Sequence, residues 1–117
     1  MGQFVSIERL LTIASNKLFS IQEKQEYFPD YNYYIDIPDR NERYQIALNK
    51  RSLKKINFNS TLKEPYLKII TPATLLVMLL INHISWNMAD GALFIDYERV
   101  PNIYDPKIHT MLNYLIV

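Results

Sequence analysis

The sequence predicts an α+β fold, in which a mainly antiparallel sheet of about five strands carries helices on one face. Three observations support this. Short aromatic and β-branched runs separated by turn residues recur through the middle of the chain, an apolar run covers residues 73–81, and residues 4–21 carry apolar side chains at helical spacing. With 117 residues, 49% of them hydrophobic, the chain is long enough for one core. We therefore expect a single accessory or binding domain over residues 1–117.

The first element is a docking helix over about residues 4–27, and residues 31–117 supply the sheet and the helix layer. Its apolar stripe recurs at steps of three and four and consists of Phe4, Ile7, Leu11, Ala14, Leu18 and Ile21. The helix should end before Phe28-Pro29, because proline disfavours helical geometry in the residue before it. The stripe either packs on the chain's own sheet or forms a seam for a partner. Two to three heptads are short for a coiled coil, which favours the first interpretation.

The next elements are strands. Residues 31–37 and 43–49 flank the turn sequence Pro38-Asp39-Arg40-Asn41, which predicts a hairpin with Tyr44, Ile46 and Leu48 on one face. A short strand over residues 55–58 should point Ile56 and Phe58 inward. Strands over residues 66–70 and 92–97 complete the count of five.

A buried helix over residues 73–81 is the centre of the predicted fold. Thr71 suits the N-cap and Pro72 the first helical position, and a helix that is apolar on nearly every side must be covered by the rest of the chain or by a partner. We take Leu76 and Leu80 as candidate contacts to a partner or a hydrophobic ligand. Asp105 and Pro106 repeat the cap-then-proline start, so a closing helix should run from Pro106 towards Leu115.

Composition excludes several function classes. A net charge of +1 creates no global field for nucleic acid or an anionic membrane. The absence of cysteine excludes disulfides, thiolate zinc and iron–sulfur clusters, and it fits a reducing compartment. The apolar run is too short for a membrane span, which takes about 20 residues. No signal peptide is evident, so we expect a cytoplasmic protein. Gly2 and Ser6 match a myristoylation pattern, but so short a pattern is frequent by chance, and we expect an ordinary start.

No catalytic, cofactor-binding or metal site is predicted. His83, Ser85 and Asp90 lie close in sequence, but no nucleophile elbow accompanies the serine and no third ligand joins the histidine and the acid at a helical spacing. We therefore expect neither an enzyme nor a cofactor.

A basic patch is a second candidate site, formed by Lys50, Arg51, Lys54 and Lys55. Nearby tyrosines make it a candidate for a nucleic-acid-binding or inhibitor protein. The favoured alternative is a solvated strand edge that blocks aggregation, so we regard nucleic acid as an improbable partner.

The end of the chain carries a family resemblance. Trp86-Asn87-Met88-Ala89-Asp90-Gly91, then the run from Phe94 to Tyr104, then His109-Thr110-Met111-Leu112 resemble the C-terminal end of metallo-β-lactamase-fold proteins related to CMP-N-acetylneuraminate hydroxylase. Met88, Asp90 and Tyr97 stand where that family commonly has asparagine, glutamate and phenylalanine. The preceding order of strand, capped helix, turn and strand is similar to an SCP2-like (sterol-carrier-protein-2-like) accessory domain.

The resemblance implies a non-catalytic module, because the chain has neither the metal ligands of the hydrolase domain nor the cysteines and histidines of a Rieske centre. Such a module would bind a protein partner, a second copy of itself or a hydrophobic ligand. The alternative is a standalone SCP2-like carrier of a lipid or small molecule. The positions carried over as candidates for a partner- or ligand-facing rim are Trp86, Asn87, Asp90, Glu98, Arg99 and Tyr104. The other interpretation is that they fix the turn and the strand exit.

Overall fold

The computed structural model describes residues 6–86 and 95–117. Its elements are helix α1 (Ile7–Gln25), strand β1 (Asn32–Ile37), a 3₁₀ turn (Pro38–Arg40), strands β2 (Glu42–Ala47), β3 (Ser52–Ile56) and β4 (Tyr66–Ile70), helix α2 (Ala73–Leu80), strand β5 (Asp96–Val100), helix α3 (Pro106–Thr110) and a final 3₁₀ turn (Met111–Tyr114). The predictions for Gly2, Phe4, Asn87, Asp90 and residues 92–94 lie outside the described residues.

The five strands form one sheet in the order β3-β2-β1-β4-β5. β1 pairs with β4 in parallel, and the other three neighbouring pairs are antiparallel. The predicted α+β fold with a mainly antiparallel sheet is confirmed. β1, β2 and β3 follow one another as a meander, and the chain then returns across residues 57–65 to place β4 on the other side of β1.

One face of the sheet carries the core. Its buried side chains alternate along the strands and are Tyr33, Ile35, Ile37, Tyr44, Ile46, Leu48, Leu67 and Ile69. Ile7, Leu11, Ala14 and Leu18 of α1 belong to the same cluster, together with Leu76, Leu79 and Leu80 of α2. The stripe of α1 thus packs within this chain.

The stripe departs from the prediction in its last turn, where Gln22 is fully buried and Ile21 is not. The Gln22 amide donates hydrogen bonds from Nε2 to the Tyr27 and Leu48 carbonyls, both at 3.0 Å. A polar side chain can occupy this buried position because it satisfies two main-chain acceptors.

The N-cap of α2 differs from the prediction. Pro72 occupies the cap position with extended backbone, and the Thr71 hydroxyl donates to the Pro72 carbonyl at 3.2 Å instead of capping the helix. The Asp39 carboxylate accepts from the Ala73 amide at 3.1 Å, across 34 positions of sequence. The cap of α2 is therefore a tertiary contact, supplied by the 3₁₀ turn after β1.

The strand predicted over residues 55–58 is β3, which lies three residues earlier and ends at Ile56. Leu53 pairs with Ile46 and packs against the core, whereas Ile56 pairs with Arg43 on the opposite face. The prediction that Ile56 and Phe58 point into the core is wrong, because the pairing register with β2 places Leu53 on the core side and Ile56 beside Arg43, and Phe58 lies beyond the end of the strand, against Arg43.

The closing segment begins as predicted. Asp105 caps α3 by accepting from the amides of Lys107 at 3.0 Å and Ile108 at 3.3 Å. The α-helix ends at Thr110 and continues as the 3₁₀ turn. The predicted apolar set is buried and consists of Ile108, Met111, Leu112 and Leu115.

Candidate binding surfaces

Helix α2 has an apolar outer surface, which we define by Leu75, Val77, Met78 and Ile81. The first three side chains are partly exposed, and Ile81 at the helix end is 52% exposed. Residues 75–81 contain no polar side chain, so Thr74 is the one polar residue of the helix and its solvent side is otherwise apolar. Soluble helices ordinarily carry polar residues on the exposed side.

The two predicted contact residues on this helix, Leu76 and Leu80, are fully buried in the core of the chain itself. A partner or ligand approaching α2 would therefore meet the outer surface first. A role of Leu76 and Leu80 in binding a partner or a ligand stays a prediction, since a helix that is apolar on nearly every side carries no periodicity to separate its two sides.

Trp86 is also part of the core, at 4% exposed. Its indole N–H donates to the Leu115 carbonyl at 3.1 Å, which ties the segment after α2 to the end of the chain. The Val117 amide makes a parallel connection by donating to the Leu80 carbonyl at 2.7 Å. Trp86 therefore helps to hold the closing segment in position.

Arg99 and Tyr104 lie together, as a rim site would require. The Arg99 guanidinium lies 5.1 Å from the centre of the Tyr104 ring, and its Nη2 is 3.0 Å from Nδ1 of His109. Because arginine only donates hydrogen bonds, Nδ1 of His109 is the acceptor in this contact. Tyr104 itself is 57% exposed, so this cluster forms a cationic and aromatic part of the surface.

Glu98 lies on the opposite face of the sheet from Arg99, because successive side chains of a strand alternate. Its carboxylate pairs with Lys68 at 3.0 Å and accepts from the Tyr66 hydroxyl at 3.3 Å. The hydrogen bond from Lys68 lowers the pKa of Glu98. The described members of the predicted set, Trp86, Glu98, Arg99 and Tyr104, therefore do not converge on one site.

The face of the sheet away from the helices holds a polar network that sequence reasoning missed. Arg43 makes two hydrogen bonds to the Asp36 carboxylate, at 2.6 and 2.7 Å, and both side chains are buried. Arg43 also donates to the Ser60 carbonyl at 2.9 Å, and the Tyr34 hydroxyl accepts from the Lys63 amide at 2.9 Å. The sequence did contain a signal for this network. Asn32 and Asp36 are polar residues at alternate positions of β1, which is otherwise aromatic and apolar.

The predicted basic patch is divided in the structure. Arg51 pairs with Glu23 at 2.7 Å and lies over the Phe28 ring, and Lys55 pairs with Glu42 at 3.1 Å. Lys50 and Lys54 instead line a cavity of about 70 Å³. Two of the four cations are thus held in ion pairs, and the role of the patch in binding nucleic acid stays a prediction.

An open cavity of about 310 Å³ lies beside the closing segment. It is lined by Gln25, Pro106, Lys107, Thr110, Met111 and Tyr114. Its volume lies at the lower end of the range for small-molecule sites, roughly 300–1,000 Å³.

Within residues 6–86 and 95–117, no three His, Cys, Asp or Glu side chains are grouped so that they could hold a metal ion. In the same ranges no helix has the length and apolarity needed to cross a bilayer.

Comparison with solved structures shows what the chain resembles. A protein described as the UbiJ-SCP2 ubiquinone synthesis protein superposes with a TM-score of 0.60 at 7% identity, over 92% of this chain and 90% of that one. Sterol carrier protein 2 like 2 from Aedes aegypti superposes with a TM-score of 0.57 at 9% identity, over 95% of this chain and all of that one. The fold is SCP2-like. No protein-family model and no curated protein sequence matches this chain.

These likenesses support the SCP2-like part of the sequence resemblance, and at such identities they establish the fold alone. Neither solved structure is a metallo-β-lactamase-fold protein. That part of the resemblance therefore rests on the tail residues only.

Proposed function

We propose that this SCP2-like chain is a non-catalytic accessory module that binds a protein partner, or a second copy of itself, through the α2 outer surface. The observation that carries the proposal is the apolar exposed side of α2, and Ile81 above all. Covering an exposed isoleucine completely stabilises a complex by up to about 1.5–3 kcal/mol, so Ile81, about half covered already, would contribute roughly half of that. The likeness to a ubiquinone synthesis protein that contains an SCP2 domain is consistent with an accessory role.

Native mass spectrometry of the purified chain, with and without Ile81→Glu, tests the proposal. We expect a dimer or a hetero-complex for the unchanged chain and a monomer for the variant, because a carboxylate in an apolar interface loses its hydration. Ile13→Glu is the matched control, since Ile13 is an exposed isoleucine on the outer side of α1. A bare monomer for the unchanged chain would contradict self-association, and equal effects of the two variants on any complex would contradict binding through the α2 outer surface.

A hydrophobic-ligand carrier is the second candidate function. The cavity beside Met111 and Tyr114 supports it, since apolar and aromatic side chains form part of its lining. A monomer that carries a co-purified small-molecule mass would favour this function. Binding of a fluorescent fatty acid should then weaken in Thr110→Trp, which fills the cavity, and stay unchanged in Thr74→Trp, on exposed α2 surface.

The partner of the first proposal could be a metallo-β-lactamase-fold enzyme, and this rests on the tail resemblance. The candidate partner would be an enzyme of this kind that lacks its own SCP2-like end and is encoded beside this gene. The experiment is to mix that purified enzyme with this chain. We expect a complex with the unchanged chain that Ile81→Glu dissociates. Failure to form a complex with the purified enzyme would remove this partner while leaving self-association to be decided by mass spectrometry.

A further inference from the structure

We propose that a cavity on the outer face of the sheet binds a phosphate group, either on a small soluble molecule or on a lipid headgroup. We name it the lysine cavity and define it by Lys50, Lys54, Lys63, Asn32, Gln45 and Asp30, which line it. The proposal is independent of partner binding through α2, because the lysine cavity lies on the face of the sheet away from the helices.

The topology of the chain brings the three lysines together. Lys54 lies in β3 opposite Gln45 of β2, and Lys50 lies in the turn between those strands. Lys63 arrives from the segment that returns across the outer face to β4. Lysines separated by up to 13 residues in sequence therefore border one concave surface.

Fixed amides form the floor between these lysines. Asn32 is 5% exposed, and its side-chain nitrogen donates to the Lys63 carbonyl at 3.4 Å, which holds that segment against β1. The Gln45 side-chain nitrogen donates to the Asn32 side-chain oxygen at 3.2 Å. An amide nitrogen carries two hydrogens, so Gln45 keeps one N–H beyond the bond to Asn32.

The charge in the lysine cavity is unbalanced. Three cations border it, against the single carboxylate of Asp30. Elsewhere in the described ranges several cations have an acidic partner within 4 Å, namely Arg40, Arg43, Arg51, Lys55 and Lys68. Over those same ranges, Lys50, Lys54 and Lys63 form no ion pair. A bound dianion would balance this excess of positive charge.

Size and chemistry favour a single phosphate group. A volume of about 70 Å³ is roughly twice the 30 Å³ share of one water in the liquid, so it admits a small compact group such as a phosphate rather than a long chain. Lysine ammonium groups bind phosphate as point charges, without the planar geometry that arginine requires. A single strand of nucleic acid needs a longer groove than this cavity, whose one aromatic lining residue is Tyr31, and the other predicted cations, Arg51 and Lys55, are already paired.

NMR titration of the full chain with inorganic phosphate and with a phosphate monoester tests the proposal. We expect saturable shifts at the Gln45 and Asn32 side-chain amides, and an affinity reduced at least about tenfold in the double variant Lys54→Gln/Lys63→Gln. Lys24→Gln, on exposed α1 surface, is the control for a change of charge and should leave the affinity unchanged. An unchanged thermal midpoint would show that the double variant is folded.

Vesicles distinguish the two sources of phosphate. Binding of the soluble monoester indicates a small-molecule ligand, whereas binding only to phosphatidic acid vesicles, and not to phosphatidylcholine vesicles, indicates a headgroup. Either result supports the proposal if Lys54→Gln/Lys63→Gln abolishes it. Absence of binding in both formats, equal binding by the double variant, or binding of an oligonucleotide without binding of the monoester would overturn it. None of these results bears on the dimer or hetero-complex tested with Ile81→Glu.

Discussion

At the residue scale, the buried pair of Asp36 and Arg43 is the most consequential polar contact. The pair joins β1 to β2. Arg43 also donates to the Ser60 carbonyl, which holds the segment of residues 57–65 on the outer face of the sheet. A buried ion pair contributes little net stability compared with apolar residues of similar size, whereas removing one partner leaves a buried charge unpaired.

We predict that Asp36→Asn lowers the free energy of unfolding by about 3–5 kcal/mol, because Arg43 would lose its counter-ion. Urea unfolding measures this. The double variant Asp36→Leu/Arg43→Met should be less destabilised than Asp36→Asn alone. Lys55→Gln is the control, because it removes an exposed pair with Glu42 and should cost no more than about 1 kcal/mol. A cost for Asp36→Asn as small as that of the control would show that the pair is effectively solvated.

A second prediction at this scale concerns alkaline pH. Burial, aided by Glu42, raises the pKa of Tyr44 from 10.0 to about 12. Burial also raises the pKa of Tyr33 well above its ordinary value. Between pH 10 and 12 the unfolded chain has released these protons while the folded chain retains them, so stability should fall as the pH rises through this window.

Urea unfolding at a series of pH values, with tyrosinate absorbance as a second probe, measures the slope. Tyr44→Phe should make the fall shallower above pH 10, since one buried phenol is gone. Tyr104→Phe is the control, because that side chain is exposed and should leave the slope unchanged. An identical slope for both variants would show that Tyr44 titrates normally.

At the scale of elements, periodicity predicted α1 and the buried face of β2 because local backbone geometry sets which side chains share a side. The last turn of α1 was the exception. There Gln22 replaces Ile21 in the core, because the ends of β2 and α1 present two carbonyls that need a donor. The N-cap of α2 was predicted one residue early, at Thr71 rather than Pro72, and the carboxylate that accepts from the first turn comes from Asp39.

We predict that Leu18→Ala lowers the free energy of unfolding by about 2–5 kcal/mol, because it opens a cavity under α1. Ile13→Ala, on the exposed side of the same helix, should change it by no more than about 0.5 kcal/mol. Thermal or urea unfolding compares the two. Similar losses for both variants would mean that the outer side of α1 is covered as well, as in a coiled-coil seam.

At the scale of the whole molecule, the order of the strands determines which strands are central and which form the edges of the sheet. β1 is the central strand, and all of its residues are buried. Its parallel neighbour β4 lies on the side opposite β2. β3 and β5 are the edges, and Lys54 and Lys55 on β3 suit an edge strand that resists sheet-to-sheet association.

Hydrogen exchange followed by NMR should therefore rank the strands. We predict that the paired amides of β1 and β4 exchange most slowly, through global unfolding, and that those of β3 and β5 exchange through local opening. In a complex formed through α2, protection should rise around Val77 to Ile81 and stay unchanged in β3. Faster exchange in β1 than in β3 would contradict the ranking.

The sequence by itself determined the class of the fold, most of the elements and most of the core side chains. These follow from how apolar residues repeat along a helix or a strand, and that pattern involves only residues close together in the sequence. The tertiary structure alone decided the parallel pairing of β1 with β4, the cap on α2, the pair of Asp36 with Arg43, and the meeting of Lys50, Lys54 and Lys63. Each of these joins residues from separate segments, and such contacts depend on how the chain crosses the sheet rather than on any local pattern. For the same reason the sequence indicated that α2 is apolar all round, while only the packed chain showed which side remains uncovered.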